Sequence, residues 1–460
     1  MQAAVAAGHA ATAAAGIAIL EEGGNAADAA VAATLASCVA ETVMTGLLGG
    51  GHAIYFDAAN KRARNLDCFV AVPGLGAELR QPELLHLDVP FGAELVHYAV
   101  GPASCAVPGL PAGLEALHAE YGRLPWPGLV APALELARDG VEMPRAHASC
   151  LAMLAPVMTM NEGAKIYAPG GSLLQAGERL HQPGLVDALT AIAEEPSSLY
   201  SGSLADELLG LCEERGGTVT RADLGSYEAT WSEPVMVPYL GARLLTRRGL
   251  SGVPETVPRL PQLHGLDETD RVLALVDALE APSAGGGDTT NVTVVDREGN
   301  ACVFTTSLGL GSGDFLPALD LHLNSMLGEA DLLRGRLEPG ARMESMMAPT
   351  LAVDGDGLSL AAGAAGGTRL KTALLGVVAG ILDEGLATDA AVARPRFHPA
   401  PDVINAEPGV DERALQELEA RERNVRRWPD LHHYFGGVSV VSRSGSAGDP
   451  RRSGAAVTFR

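Results

Sequence analysis

Lysine is almost missing from this chain of 460 residues: only Lys61, Lys165 and Lys371 occur, and arginine supplies the rest of the positive charge. That is a compositional bias with no chemistry attached. Basic residues as a class are also short, 33 against 56 acidic, so a formal charge of -23 repels phosphate backbones and anionic headgroups. Nucleic acid and membrane surfaces are therefore excluded as partners. The six cysteines (Cys38, Cys68, Cys105, Cys150, Cys212, Cys302) show no C-x-x-C or Cys/His pairing. This argues against both a disulfide scaffold and a zinc site and for reduced thiols in a cytoplasm. Outside the alanine-rich start, apolar runs such as Thr372 to Leu382 fall far short of a bilayer span. The alanine-rich start, Gln2 to Leu20, lacks the basic n-region of a secretory signal and reads as a buried first helix. Neither His-Glu-x-x-His nor Gly-x-Ser-x-Gly is present, and His432-His433 reads as a surface feature rather than a metal site.

What the chain does have is apolar bulk, with 47% hydrophobic residues, enough for one large or two moderate cores. Glu22-Gly23-Gly24 ends one apolar helix and Asn25 can cap the next. Residues 46–58 read as a glycine turn entering a strand, and Val72 to Pro127 as a proline-containing, loop-rich stretch. Amphipathic segments at Leu114–His118, Leu129–Ala137, Leu185–Glu195 and Leu204–Glu214 predict a mainly helical first half. A helix at Asp270–Leu279 leads to the exposed loop Pro282-Ser-Ala-Gly-Gly-Gly-Asp288. The β-branched run Thr289–Asp296, the turn Arg297–Asn300 and the segment Ala301–Ser307 then predict a hairpin. Strands at Pro349–Asp354, Leu358–Gly363 and Gly437–Ser442, with a helix over Leu370–Glu384, complete an antiparallel α/β second half.

A glycine-rich loop delivering Thr289-Thr290 to the start of a strand has a chemical consequence if it is cut there. A threonine at a new N-terminus carries its own base, because an α-amino group with a pKa of roughly 7.7 to 8.0 can take the proton from its own hydroxyl. Taken alone, these residues favour a plain loop before a β-branched strand. The surrounding motifs decide the matter: Ala7-Gly-His9, Gly23-Gly-Asn-Ala-Ala-Asp-Ala-Ala30, Asp223-Leu-Gly-Ser-Tyr227, Glu233-Pro234, Val295-Asp296, Gly299-Asn-Ala301, Leu323-Asn324, Met347-Ala-Pro-Thr350, Gly366-Gly367, Pro395-Arg-Phe-His398 and Gly448-Asp-Pro-Arg-Arg452. In this order the chain resembles the γ-glutamyltranspeptidase family of N-terminal-nucleophile (Ntn) hydrolases along nearly its whole length.

The resemblance implies an α+β fold, a four-layer αββα sandwich, made as a precursor that cleaves itself between Asp288 and Thr289. Residues 1–288 would be a mainly helical large subunit and 289–460 a β-rich small one, the two intertwined as a heterodimer. Thr289 would be the nucleophile, attacking a γ-glutamyl or other amide carbonyl and passing the acyl group to water or an amino acid. Gly366 and Gly367 match the oxyanion-hole segment, where small residues let backbone N–H groups meet developing charge. Thr290, Ser307, Asn324, Ser325, Ser345 and Met346 fall at substrate-binding positions. No metal or organic cofactor is expected, since the chain itself supplies nucleophile, base and oxyanion donors.

Departures from the family pattern concern recognition rather than the nucleophile. Phe69, in Asp67-Cys-Phe-Val-Ala-Val-Pro73, replaces the arginine that clamps the glutamyl carboxylate, and Met346 replaces one serine of a pair. Losing a charge-assisted hydrogen bond worth roughly 1.5 to 3 kcal/mol weakens glutamyl recognition by about one to two orders of magnitude unless another arginine steps in. Asn291 stands where the family has histidine, and Ser325 and Gly328 replace groups that hold the substrate's amine, with Glu329 a neighbouring substitute. Gly309-Leu-Gly311-Ser-Gly313 lacks dinucleotide-loop spacing and is expected to line the active site. Lys371-Thr372 fails as a phosphate loop because Leu370 precedes it, and Asn291-Val-Thr293 is a sequon that a cytoplasmic strand does not use. Three readings remain: a γ-glutamyl transferase or hydrolase, an Ntn amidase or acylase for another acyl group, and an unprocessed binding or scaffold relative.

Overall fold

Two antiparallel sheets lie face to face, and each carries helices on its outer side. The computed structural model describes residues 1–77, 83–91, 94–280, 289–334 and 337–459. Thirteen strands build the sheets: β1 (Ala4–Ala7), β2 (Gly50–Asp57), β3 (Arg62–Cys68), β4 (Thr230–Ser232), β5 (Val235–Tyr239), β6 (Ala242–Thr246), β7 (Thr290–Val295), β8 (Ala301–Ser307), β9 (Thr350–Asp354), β10 (Gly357–Ala365), β11 (Gly437–Ser442), β12 (Gly445–Ala447) and β13 (Ala455–Thr458). The first sheet runs β13-β1-β7-β8-β2-β3-β4 and the second β12-β11-β10-β9-β6-β5.

Alternation of side chains along the strands sorts the core into three layers. Ala4, Ala6, Ile54, Phe56, Val295, Ala301 and Val303 from the first sheet meet Leu245, Leu351, Val353, Leu358, Ala361 and Val441 from the second. The opposite faces point outward. Val5, Val292, Val294, Cys302 and Phe304 pack beneath α1 (Ala10–Glu21), α2 (Ala26–Ala40), α3 (Leu110–Tyr121) and α4 (Trp126–Asp139). Leu244, Ala352, Leu360, Val438 and Val440 pack beneath helices over Glu268–Leu279, Leu370–Leu382 and Glu412–Ala420. The result is the αββα sandwich that the resemblance implies.

Local signals account for many elements. Asn25 caps α2 in a capping box: its side chain accepts from the backbone of Ala27 and Asp28, and Asp28 accepts from the Asn25 N–H. The β7–β8 hairpin pairs Val292 with Phe304 and Thr290 with Thr306, as its β-branched runs predict. Four amphipathic segments of the first half are helices, at Leu110–Tyr121, Trp126–Asp139, Gly184–Glu194 and Ser203–Arg215.

Two expectations need correction. The chain start is not one helix: Ala4–Ala7 is a strand inserted between β13 and β7, and the helix begins at Ala10. Alanine has no strand preference of its own, so pairing on both sides decides its conformation. The stretch from Val72 to Pro127 is also more regular than a loop. It contains an antiparallel hairpin of Leu85–Phe91 with Glu94–Val100, and then α3. The glycine-rich segment before Thr289, with Asp288, lies outside the described residues.

Candidate active site

Period-two alternation on β7 sends neighbouring threonines to opposite sides of the sheet. Thr290 shares the face of Val292 and Val294 and lies beneath the helices, whereas Thr289 shares the face of Asn291 and turns toward the second sheet. There Thr289 borders a pocket together with Ser307 at the end of β8 and Gly367 just past β10. The remaining walls are Phe69, Met326, Glu329, Leu332, Ser345, Met346, Met347 and Leu370. Of the expected site residues, the structure therefore brings Thr289, Ser307, Ser345, Met346 and Gly367 around one space. Gly366 adjoins that wall with φ +125°, and a Cβ there would lie 2.8 Å from Gly436 Cα, so this turn requires glycine.

The others are placed elsewhere. Asn324 spends its whole hydrogen-bonding capacity on the backbone. Its Oδ1 accepts from Ala106 N (3.0 Å) and Met326 N (3.2 Å), and its Nδ2 donates to Leu48 O (2.9 Å) and Ala106 O (2.8 Å). Asn324 is thus a pin between three loops, with nothing left to offer a ligand. Ser325 accepts from Leu310 N (3.0 Å) behind the pocket wall. In the glycine run, only Gly309 comes near, against Ser325 and Glu329. Gly311 abuts His322 and Gly313 abuts Met160, so the run does not line the pocket as expected.

The carboxylate-clamp position is apolar. Phe69 is buried, stacks on His52 at 5.6 Å between ring centroids, and forms pocket wall. Burial, with Arg247 and Arg342 nearby, pushes His52 well below its ordinary value, so this ring is neutral. Among the described residues no other arginine takes over within the pocket lining. Arg247 donates to Ser345 O and Met347 O at 3.1 Å, and Arg342 donates to Phe69 O at 2.5 Å and Glu228 O at 2.6 Å. Both guanidinium groups brace the backbone behind the wall. The lining is then six large apolar side chains, two serines, the threonine and one carboxyl group, Glu329.

Asn291 is a structural residue between the sheets. Its Oδ1 accepts from Thr305 Oγ1 (2.6 Å), its Nδ2 donates to Thr293 Oγ1 (2.9 Å), and Gly363 on β10 leaves the room that its side chain fills. Ser439 Oγ donates to Asn291 O (3.1 Å), while Thr293 Oγ1 donates to Ser439 O (2.9 Å). This polar seam ties the strand bearing Thr289 to β11 in the opposite sheet.

Two more residues lie near Thr289: Glu41, which no motif marks, and Arg452, whose motif assigned it no role. Glu41, following α2, is buried and accepts from Thr290 Oγ1 and from Thr12 Oγ1 (2.7 Å). Arg452, buried at the end of the Gly448–Arg452 motif, reaches Thr289 O at 3.5 Å. Its position follows from a buried ion network: Asp449 accepts from Val438 N (2.9 Å) and Arg396 (2.5 Å), and Arg451 pairs with Glu407 at 2.5 Å. One signal for Glu41 was available, since it is the sole Asp, Glu, Lys or Arg between Asp28 and Asp57.

The chain is similar to known proteins over nearly its full length. Residues 12–270 and 267–459 match the family model described as Gamma-glutamyltranspeptidase. The Acylase ACY 1 proenzyme of Pseudomonas sp. (strain V22) is 29% identical, over 94% of this chain and 88% of its own length. The Glutathione hydrolase proenzyme of Bacillus subtilis (strain 168) is 25% identical, over 95% of this chain and 88% of its own. Cephalosporin acylase from Bacillus halodurans superposes with a TM-score of 0.86 over 100% of this chain and 96% of that one, a likeness of fold at 22% identity. Among the described residues no helix is long and apolar enough to cross a membrane.

Proposed function

Given that the chain belongs to the gamma-glutamyltranspeptidase family and is an enzyme of it, we propose that it is an N-terminal-threonine amidase or acylase that prefers an apolar acyl group to a γ-glutamyl one. The observation that carries this reading is the lining around Thr289: six large apolar side chains, a carboxyl group and, among the described residues, no cationic side chain. A substrate carboxylate entering it would give up water with no cationic partner among the described residues and would meet Glu329, an unfavourable exchange. An apolar acyl chain against Phe69, Met326, Leu332, Met346, Met347 and Leu370 instead gains roughly 25 cal/mol per Å² buried.

The chemistry follows from cleavage of the Asp288–Thr289 bond, which divides the chain into the parts 1–288 and 289–460 as two interlocked subunits. The new α-amine of Thr289 accepts the proton of its own Oγ1, and Oγ1 attacks the acyl carbon. Backbone N–H groups of the Gly366-Gly367 turn receive the developing oxyanion. The protonated amine then donates to the leaving nitrogen, and the acyl ester on Thr289 is resolved by water or by an amino acid. Ser307 and Ser345 are the polar groups that orient the amide. The six cysteines are buried and form no disulfide, which supports a cytoplasmic location.

The test is a set of p-nitroanilides sharing one leaving group. Phenylacetyl and butanoyl anilides should be hydrolysed with at least about tenfold higher kcat/KM than γ-glutamyl anilide, from the lost charge-assisted bond. Preference for γ-glutamyl would overturn the reading. The γ-glutamyl transferase or hydrolase remains the second reading, favoured by the glutathione hydrolase relatives.

A further inference from the structure

Beneath the nucleophile strand, on the face away from the pocket, lies a buried polar cluster that the proposed mechanism does not use. Glu41 extends from the end of α2 between α1 and β7, where one carboxylate oxygen receives Thr12 Oγ1 and the other Thr290 Oγ1. Gly8, in the Ala7-Gly-His9 motif, makes this possible. A Cβ at Gly8 would overlap Glu41 Oε2 and come within 2.7 Å of Thr290 Oγ1. The glycine is therefore an opening for the carboxylate. Arg452, which also acts electrostatically on Glu41, reaches Thr289 O, so consecutive residues of one strand end are held by a carboxylate and a guanidinium.

We propose that Glu41 is a positioning residue: through Thr290 it fixes the twist and height of the strand end, so that the hydroxyl and the freed amine of Thr289 point into the pocket. This rests on Thr289 being the nucleophile. A side chain that only filled core space would have no use for a carboxylate here, because an apolar residue of similar shape avoids the cost of burying it. That cost is visible. Burial pushes the Glu41 carboxyl up to about 7, although Thr290 and Thr12 donate to it and Arg452 acts in the opposite direction. The other titratable groups around the cluster are Cys38 on the same helix, raised by burial and by Glu41, and His9 and His147, both lowered by burial.

A pH-dependent anchor follows. When Glu41 takes a proton, one of its oxygens becomes a donor and one threonine must reverse its hydrogen bond. Below neutrality the site then loses both its neutral amine and its ionised anchor.

The experiment uses the processed full-length protein with phenylacetyl-p-nitroanilide and compares wild type with E41Q and T290V. Both variants should lower kcat about tenfold or more with KM nearly constant, the size expected when a charge-assisted hydrogen bond supports only the reacting geometry. The double variant should be no worse than either single one. On the acid side, log kcat of wild type should fall with a slope approaching two, and that of E41Q with a slope of one. T290S, which keeps the hydroxyl, should recover most of the loss. If E41Q and T290V are processed and match wild type in kcat and in acid slope, or if their losses lie in KM alone, the inference is overturned. A wild-type chain that never exposes Thr289 overturns the nucleophile reading itself, and N-terminal sequencing distinguishes that failure from the first.

Discussion

Phe69→Arg reverses the substitution on which acyl preference is argued to depend. Phe69 is 1% exposed and forms pocket wall beside Thr289, so a guanidinium there points into the space an acyl group occupies. Two opposing effects set the magnitude. With γ-glutamyl substrate, a charge-assisted hydrogen bond to the α-carboxylate adds roughly 1.5 to 3 kcal/mol, or about ten- to hundredfold in kcat/KM. Without it, the arginine is a buried charge near Arg247 and Arg342, and the stacking with His52 and about 1.5 to 3 kcal/mol of apolar burial are lost. The variant should therefore be less stable while shifting specificity. The assay is the ratio of kcat/KM for γ-glutamyl-p-nitroanilide to that for phenylacetyl-p-nitroanilide, with Phe69→Met as the apolar control. A rise of about tenfold or more in Phe69→Arg and none in Phe69→Met is expected. A folded, processed Phe69→Arg protein with an unchanged ratio would refute the claim that this position selects the acyl group.

Three further outcomes follow from buried polar groups. Glu407→Ala leaves the fully buried Arg451 without its bidentate partner, which should cost about 3 to 5 kcal/mol and lower Tm by roughly 3 to 5 °C in a chain of this length, measurable by calorimetry. Gly8→Ala should cost about 1 to 3 kcal/mol by overpacking and reduce kcat in parallel, as its methyl displaces the Glu41 carboxylate from Thr290; an active, fully stable variant would contradict the geometry. The Glu41 carboxyl is near 7 when folded and near 4.5 when unfolded, so the folded state holds the proton between those values and stability falls as pH rises through them. Denaturant titrations should show E41Q gaining on wild type by roughly 3 kcal/mol from pH 4.5 to pH 7.5. That gain would accompany the loss in kcat, a stability cost retained for function.

Elements whose side chains repeat with their own period could be read directly. The β7–β8 hairpin, the strand at Gly50–Asp57 and the capped α2 all carry their signals within a few residues. Ala4–Ala7 does not, because four residues without intrinsic preference become a strand only between β13 and β7, which lie hundreds of residues away in sequence. The site divides in the same manner. Thr289, Ser307 and Gly367 sit on motifs, and the alternation of β7 and β8 brings the first two to one face. Asn324 also sits on a motif, yet motif matching cannot reveal that Ala106, Met326 and Leu48 take up all its hydrogen bonds. Arg452 ends a motif and Glu41 is the lone charge in its stretch, but neither signal names a partner. Their roles exist only across separations of 249 and 163 residues.

Thr289 is expected to become an N-terminal residue and to act through its own amine. Intact mass and N-terminal sequencing of the purified chain after prolonged incubation test it most directly, with Thr289→Ala alongside. The account predicts two polypeptides, the second starting at Thr289 and appearing together with hydrolytic activity, and a Thr289→Ala chain that stays whole and inactive. A wild-type chain that remains whole yet hydrolyses amides, or one cut elsewhere with full activity, would contradict it.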